Sequence, residues 1–238
     1  MSQTPWLYAL AAAAANILGA AAVTTRRRWS IEALESMVAL SAGFMVSTVL
    51  VDVFPEAIEH GGPMAGVIAL GGYIAVHLTQ HTLAPHFHFG EETHNVSRVV
   101  SISALVGLLL HTFVDGVAIA SGFAVSPALG FLVFTAILLH KFPEGLAISS
   151  LFLAAGQGRV RAVLAATALG VATVAGMIFT TLVDIVAAHG LAISAGVMMY
   201  VGASNLVPEF QAKHGWRLPF AFFAGCGLYL AARSITAH

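Results

Sequence analysis

Apolar runs long enough to cross a lipid bilayer fill most of this chain, and no other feature limits its fold so strongly. A helix crossing the hydrocarbon needs about 20 predominantly apolar residues. Eight stretches reach that length: 5–23, 31–57, 64–84, 99–124, 128–155, 161–187, 190–210 and 217–235. The breaks between them carry turn and polar residues: Thr25-Arg26-Arg27-Arg28, Gly61-Gly62-Pro63, the polar run 85–98, Ser126-Pro127, Gly156-Gln157-Gly158-Arg159, His189-Gly190 and Lys213-His214-Gly215. A β-barrel would show short alternating segments instead. The sequence predicts an all-α integral membrane protein with eight transmembrane helices, forming one domain over 1–238. Charged residues are 9% of the chain, against roughly 25% in a soluble domain. That excludes a soluble enzyme, a nucleic-acid partner and a disordered chain. The single cysteine, Cys226, excludes internal disulfides and any cysteine-based zinc site.

Charge provides an independent check on the count. Eight crossings put Arg26, Arg27, Arg28, Arg98, Arg159, Arg161, Lys213 and Arg217 on one side, with Arg233 near the other. Lys141 is left inside the membrane. The positive-inside rule then places both termini outside the cytoplasm. The first stretch does not read as a cleavable signal peptide, because its arginines follow the apolar run. Short loops fit a multi-pass protein of a prokaryotic cytoplasmic (inner) cell membrane.

Two internal repeats stand out. SAGFMVSTVLVDVFPE at 41–56 aligns without gaps on SAGVMMYVGASNLVPE at 194–209. The second and seventh stretches run in opposite directions in this layout, so the match is an inverted repeat. Secondary transporters are commonly built this way, with their sites near the midplane. The second repeat is tighter: LLHTFVDGVAIASGF at 109–123 and LLHKFPEGLAISSLF at 138–152 agree at nine of fifteen positions. In each, a histidine precedes an acid by four residues, so the two side chains share one helix face. His111 with Asp115, and His140 with Glu144, each offer an imidazole beside a carboxylate.

A carboxylate in the bilayer core costs at least about 2.5 kcal/mol on insertion scales. A divalent cation offsets this, since two carboxylates cancel its charge and two imidazoles complete four-coordination. Two nitrogen and two oxygen ligands suit tetrahedral Zn²⁺ and also accept Fe²⁺, Mn²⁺ or Cd²⁺. The competing reading is two His–acid hydrogen-bonded pairs without an ion. Pro143 precedes Glu144 and frees the carbonyl of Leu139, loosening the helix beside the site. Pro55 and Pro208 act likewise on the second and seventh spans.

These motifs resemble those of the ZIP family of divalent-metal transporters. Its helix four typically reads H-N-x-P-E-G and its helix five H-x-x-P-E-G. Here the segments are H-T-F-V-D-G (111–116) and H-K-F-P-E-G (140–145), and A-G-x-M-x-Y…P-E at 195–209 resembles ZIP helix seven. The resemblance implies a 3+2+3 arrangement, with helices four and five between inverted repeats of helices one to three and six to eight. It implies uptake toward the cytoplasm, an elevator-like slide of the metal-bearing helices, and frequent dimerisation. It carries His111, Asp115, His140 and Glu144 over as metal ligands. Many prokaryotic relatives hold a second metal at positions occupied here by Thr112, Lys141 and Thr173. Those three residues remove or repel a second cation, which favours a one-metal site.

Other polar residues have two readings each. His77 and His81, one turn apart, pass metal from the site or simply form an interfacial helix face. His86, His88, Glu91, Glu92 and His94 form a cytoplasmic metal-collecting loop or a merely solvated one. Asp52 and Asn205, matched in the inverted repeat, line the pathway or hydrogen-bond their helices to neighbours. Glu56, Glu59, His60 and Asp184 attract cations at the outer mouth or are ordinary surface groups. The leading function is transport of divalent metal, zinc foremost, with the ion as cargo and no cofactor. The alternatives are an intramembrane metal-dependent hydrolase, for which no H-E-x-x-H is present, and a metal-responsive receptor, for which there is no output domain.

Overall fold

A computed structural model describes residues 4–25, 31–82, 98–207 and 214–236, and every regular element among them is helical. Lipid offers backbone groups no hydrogen-bond partner, so a spanning helix satisfies them within itself. In chain order the α-helices are α1 Thr4–Thr24, α2 Ile31–Thr48, α3 Phe54–Gly61, α4 Ala65–Thr82, α5 Arg98–Val125, α6 Pro127–Ala154, α7 Gly158–Leu182, α8 Asp184–Met199 and α9 Arg217–Thr236. Among the described residues, seven stretches are long and apolar enough to cross a membrane.

One of these, Glu32–Gln80, is 49 residues long. At 1.5 Å per residue it would extend roughly 74 Å if straight, far beyond the ~30 Å hydrocarbon. The chain reverses within it. Gly62 adopts φ +65°, ψ −158°, a conformation open to glycine but costly for other residues, and Pro63 follows. On either side the helices run in opposite directions relative to α8. α2 packs against the segment after α8, and α3 against α8 itself. α4 instead ascends with α8: Gly72 lies against Ile193, and Tyr73 Oη is 2.7 Å from Ser204 Oγ.

Among the described residues, wide π-helical turns occur at two places, Val49–Val53 between α2 and α3, and Tyr200–Leu206 after α8. They fall at matched positions of the inverted repeat. Pro55 has no N–H to give to Val51, and the preceding turn opens: Phe54 N–H bonds the Val49 carbonyl, five residues back. Val207 N–H bonds Gly202 in the same way. Pro208 itself lies outside the described residues.

Packing divides the helices into two groups. α1, α5, α6 and α7 pack on one another, while α2, α3, α4, α8 and α9 form the other group, and the groups meet chiefly where α5 faces α8 and α2 faces α6. Within each group small residues let backbones touch. A Cβ on Gly116 of α5 would run into the Thr173 carbonyl of α7, and one on Gly176 would meet the Phe113 carbonyl. Gly43 and Gly225 do the same for α2 and α9. In lipid, where apolar burial gives no preference between helix and solvent, such close contact is a main source of helix association.

The break expected at His189-Gly190 lies elsewhere. Val183, extended at φ −123°, ψ 103°, separates α7 from α8, and α8 runs unbroken through Gly190. That glycine serves packing: a Cβ there would collide with the Ser121 hydroxyl of α5. Asp184 consequently stands in the first turn of α8, not at the end of the preceding span.

Candidate metal centre

α5 and α6 are joined by a tight turn. The Ser126 hydroxyl caps α6 by accepting the Leu129 N–H at 3.1 Å, and Pro127 begins the helix. The two helices run antiparallel, which brings their His-x3-acid faces together. One ligand atom from each of His111, Asp115, His140 and Glu144 falls within 4.8 Å of the others, and all four side chains are buried. The sequence repeat thus becomes a single cluster. Asp115 Oδ2 lies 3.4 Å from His111 Nε2 and 3.5 Å from His140 Nε2. The imidazole centroids are 5.6 Å apart.

The donors around the cluster fix its chemistry. His140 Nδ1 donates to the Ala136 carbonyl at 3.0 Å, so its Nε2 keeps a free lone pair. That Nε2 and Asp115 Oδ1 are buried with no hydrogen-bond partner, as expected of atoms prepared for a cation. Thr112 Oγ1 donates to Glu144 Oε1 at 2.7 Å. Lys141, fully buried, places Nζ 2.7 Å from Glu144 Oε2 and 2.6 Å from Asp115 Oδ2. Its ammonium bridges the two carboxylates, and a lysine has three donors but no acceptor. Thr173 is buried but turned to its own helix, donating to Leu169 O at 3.3 Å.

A cavity leads away from the cluster. His111, His140 and Glu144 share it with Ser41, Gln80 and Asn205. These residues lie toward the end where α2 and α5 begin and α4 and α6 finish. Asn205 Nδ2 donates to Gln80 Oε1 at 2.7 Å. Its repeat mate Asp52 has different partners: Tyr229 Oη donates to it at 2.5 Å and Arg233 Nε at 3.0 Å. Both positions therefore bond a neighbouring helix, and Asn205 also lines the cavity. Gln80, Tyr229 and the pairing of Arg233 with Asp52 escaped the sequence reading because the partners lie more than a hundred residues away in the chain.

The remaining candidates are scattered. The His77 ring packs edge-on against Tyr200, centroids 5.6 Å apart. His81 lies in the last turn of α4, but its side chain lies outside the described residues, as do His86, His88, Glu91, Glu92 and His94. His60 is 3.4 Å from Glu56 at the surface, and Cys226 rests against the Gly43 carbonyl at 3.5 Å.

Residues 90–232 match the family model described as ZIP Zinc transporter. The match covers more than half of the chain and both signature helices. The chain belongs to the ZIP family. A comparison with curated proteins gives no match. As a ZIP protein it is a membrane-embedded transporter of divalent metal and not an enzyme, and the buried His–carboxylate cluster is compatible with that activity.

Proposed function

We propose that this ZIP protein carries one divalent transition-metal ion at a time, zinc foremost, across the membrane toward the cytoplasm, through a midplane site formed by His111, Asp115, His140 and Glu144. The observation that carries this reading is the convergence of those four buried ligands within 4.8 Å. Two imidazoles and two carboxylates match the four-coordinate preference of Zn²⁺. Lys141 takes the place a second metal holds in many relatives. An ammonium within 2.7 Å of both acids neutralises part of their charge and repels another divalent ion.

The chain reversal at Gly62 supports counting Glu32–Gln80 as two crossings and the whole chain as eight, with both termini outside the cytoplasm. Arg98, Arg159, Arg161 and Arg217 then mark the cytoplasmic side, and the cavity from the cluster lies toward it, which supports release inward. The two packed helix groups, one carrying the whole cluster, suit an elevator-like slide of α5 and α6 against the other group.

Purified protein in liposomes provides the test. Zinc should accumulate inside without chemical change to any lipid or peptide, and Glu144→Ala should abolish the flux. Flux that survives Glu144→Ala would overturn the assignment of the site.

A further inference from the structure

Thr112 occupies a position that, by itself, looks only like a place where a second metal ligand is missing. Its geometry gives it a different part to play. The side chain is wholly buried, and its hydroxyl donates to Glu144 Oε1 at 2.7 Å across the α5–α6 interface. Most described hydroxyls within these helices bond a carbonyl of their own helix three or four residues back, as Ser41, Thr48, Ser150 and Thr180 do. Thr112 forgoes that bond for the carboxylate. The other oxygen, Oε2, faces Lys141 Nζ at 2.7 Å.

We infer that Thr112 is a positioning residue that selects the transported ion by its coordination number. The inference rests on the four-ligand reading above. Thr112 draws Oε1 toward itself, so Glu144 reaches an ion chiefly through Oε2, which keeps an acceptor position beside its bond to Lys141. The cluster then supplies two nitrogens and one oxygen from each acid, a four-coordinate set that suits Zn²⁺. Mn²⁺ favours six oxygen-rich ligands, and a carboxylate free to bind through both oxygens moves a site toward that number. Removing the hydroxyl leaves a buried Oε1 without its donor, a costly condition that a chelated ion relieves.

The test compares Zn²⁺ and Mn²⁺ binding to the purified full-length protein, its Thr112→Val variant and its Thr112→Ser variant, by equilibrium dialysis with metal analysis. Thr112→Val should raise affinity for Mn²⁺ relative to Zn²⁺ by about tenfold, roughly the effect of one buried hydrogen bond to a charged group. Thr112→Ser, which keeps the hydroxyl, should return the parent's ratio. A role confined to clamping α5 to α6 would lower thermal stability and leave the ratio alone, and that outcome overturns the inference. X-ray absorption on the zinc-loaded parent is a check that needs no variant: four-coordinate zinc supports it, and zinc with both Glu144 oxygens bound overturns it. Equal zinc binding by the parent and Glu144→Gln would instead remove the four-ligand reading on which the inference stands.

Discussion

On α6, His140 is fixed by the Ala136 carbonyl, and both oxygens of Glu144 are held, one by Thr112 and one by Lys141. On α5, His111 Nδ1 and Asp115 Oδ1 are buried without hydrogen-bond partners. The two helices carry the same His-x3-acid spacing, yet α6 has both of its ligands held, while on α5 Asp115 alone is held, through Oδ2 by Lys141 of α6. Pro143 sits in that prepared segment, so the backbone there is loosened where the side chains are most constrained. The contrast implies a fixed half that sets the geometry and an adaptable half that closes on the ion.

The largest test of this division replaces ligands. His140→Ala or Glu144→Ala should cost metal uptake more than the roughly 10–100-fold typical of losing an outer-shell partner, with expression and membrane insertion near the parent's. His111→Ala should also cut uptake strongly, but by less than His140→Ala. Equal losses in a flux assay would break the distinction between the helices, and a His111→Ala protein that transports like the parent would remove His111 from the site.

A titration sharpens it next. Imidazole binds metal only when neutral, so protons compete with the ion. Zinc affinity should therefore weaken progressively as the pH falls. The sign is fixed, because acid can only fill the lone pairs. A profile that stays flat throughout the acid range, measured by calorimetry, would exclude both imidazoles as ligands.

The smallest effect concerns Lys141, which belongs to α6 but touches an acid of each helix. Lys141→Ala removes a positive charge from beside the ion. It should tighten one-site binding by at least about tenfold and slow release, given the strength of charge interactions at such distances. Two adjacent ions in the unmodified protein, seen by anomalous scattering, would refute the one-metal reading.

The cluster itself was legible in the sequence because its ligands come from local spacing repeated in two apolar runs. A period of four on a helix needs no tertiary information. The loosening by Pro55 was legible for the same reason, and it emerges as a π-helical turn. What stayed hidden depends on distant partners. No pattern near Thr112 points to Glu144, 32 residues on, nor does anything near Asp52 point to Tyr229. Gly190 misled because glycine marks both chain breaks and close helix contacts, and only packing tells which. The unbroken α8 follows from the second use. The histidine loop at 85–98 lies, apart from Arg98, outside the described residues.

The paired π-helical turns also give the chain a kind of arithmetic. A π turn holds one residue more than the α turn it interrupts, and each α-helical residue advances the helix by about 100°. Deleting one residue from 49–53 would let the turn close as an α turn and leave the segment beyond it, Glu56 and the Gly62 reversal included, facing nearly as before, because the wide turn absorbs its extra residue. A deletion from the regular helix on either side would instead swing everything beyond it around the axis by about that angle. The two wide turns are therefore where these helices tolerate a change of one in residue count, and a deletion from α4 ahead of Gln80 would turn that residue away from Asn205 and the cavity.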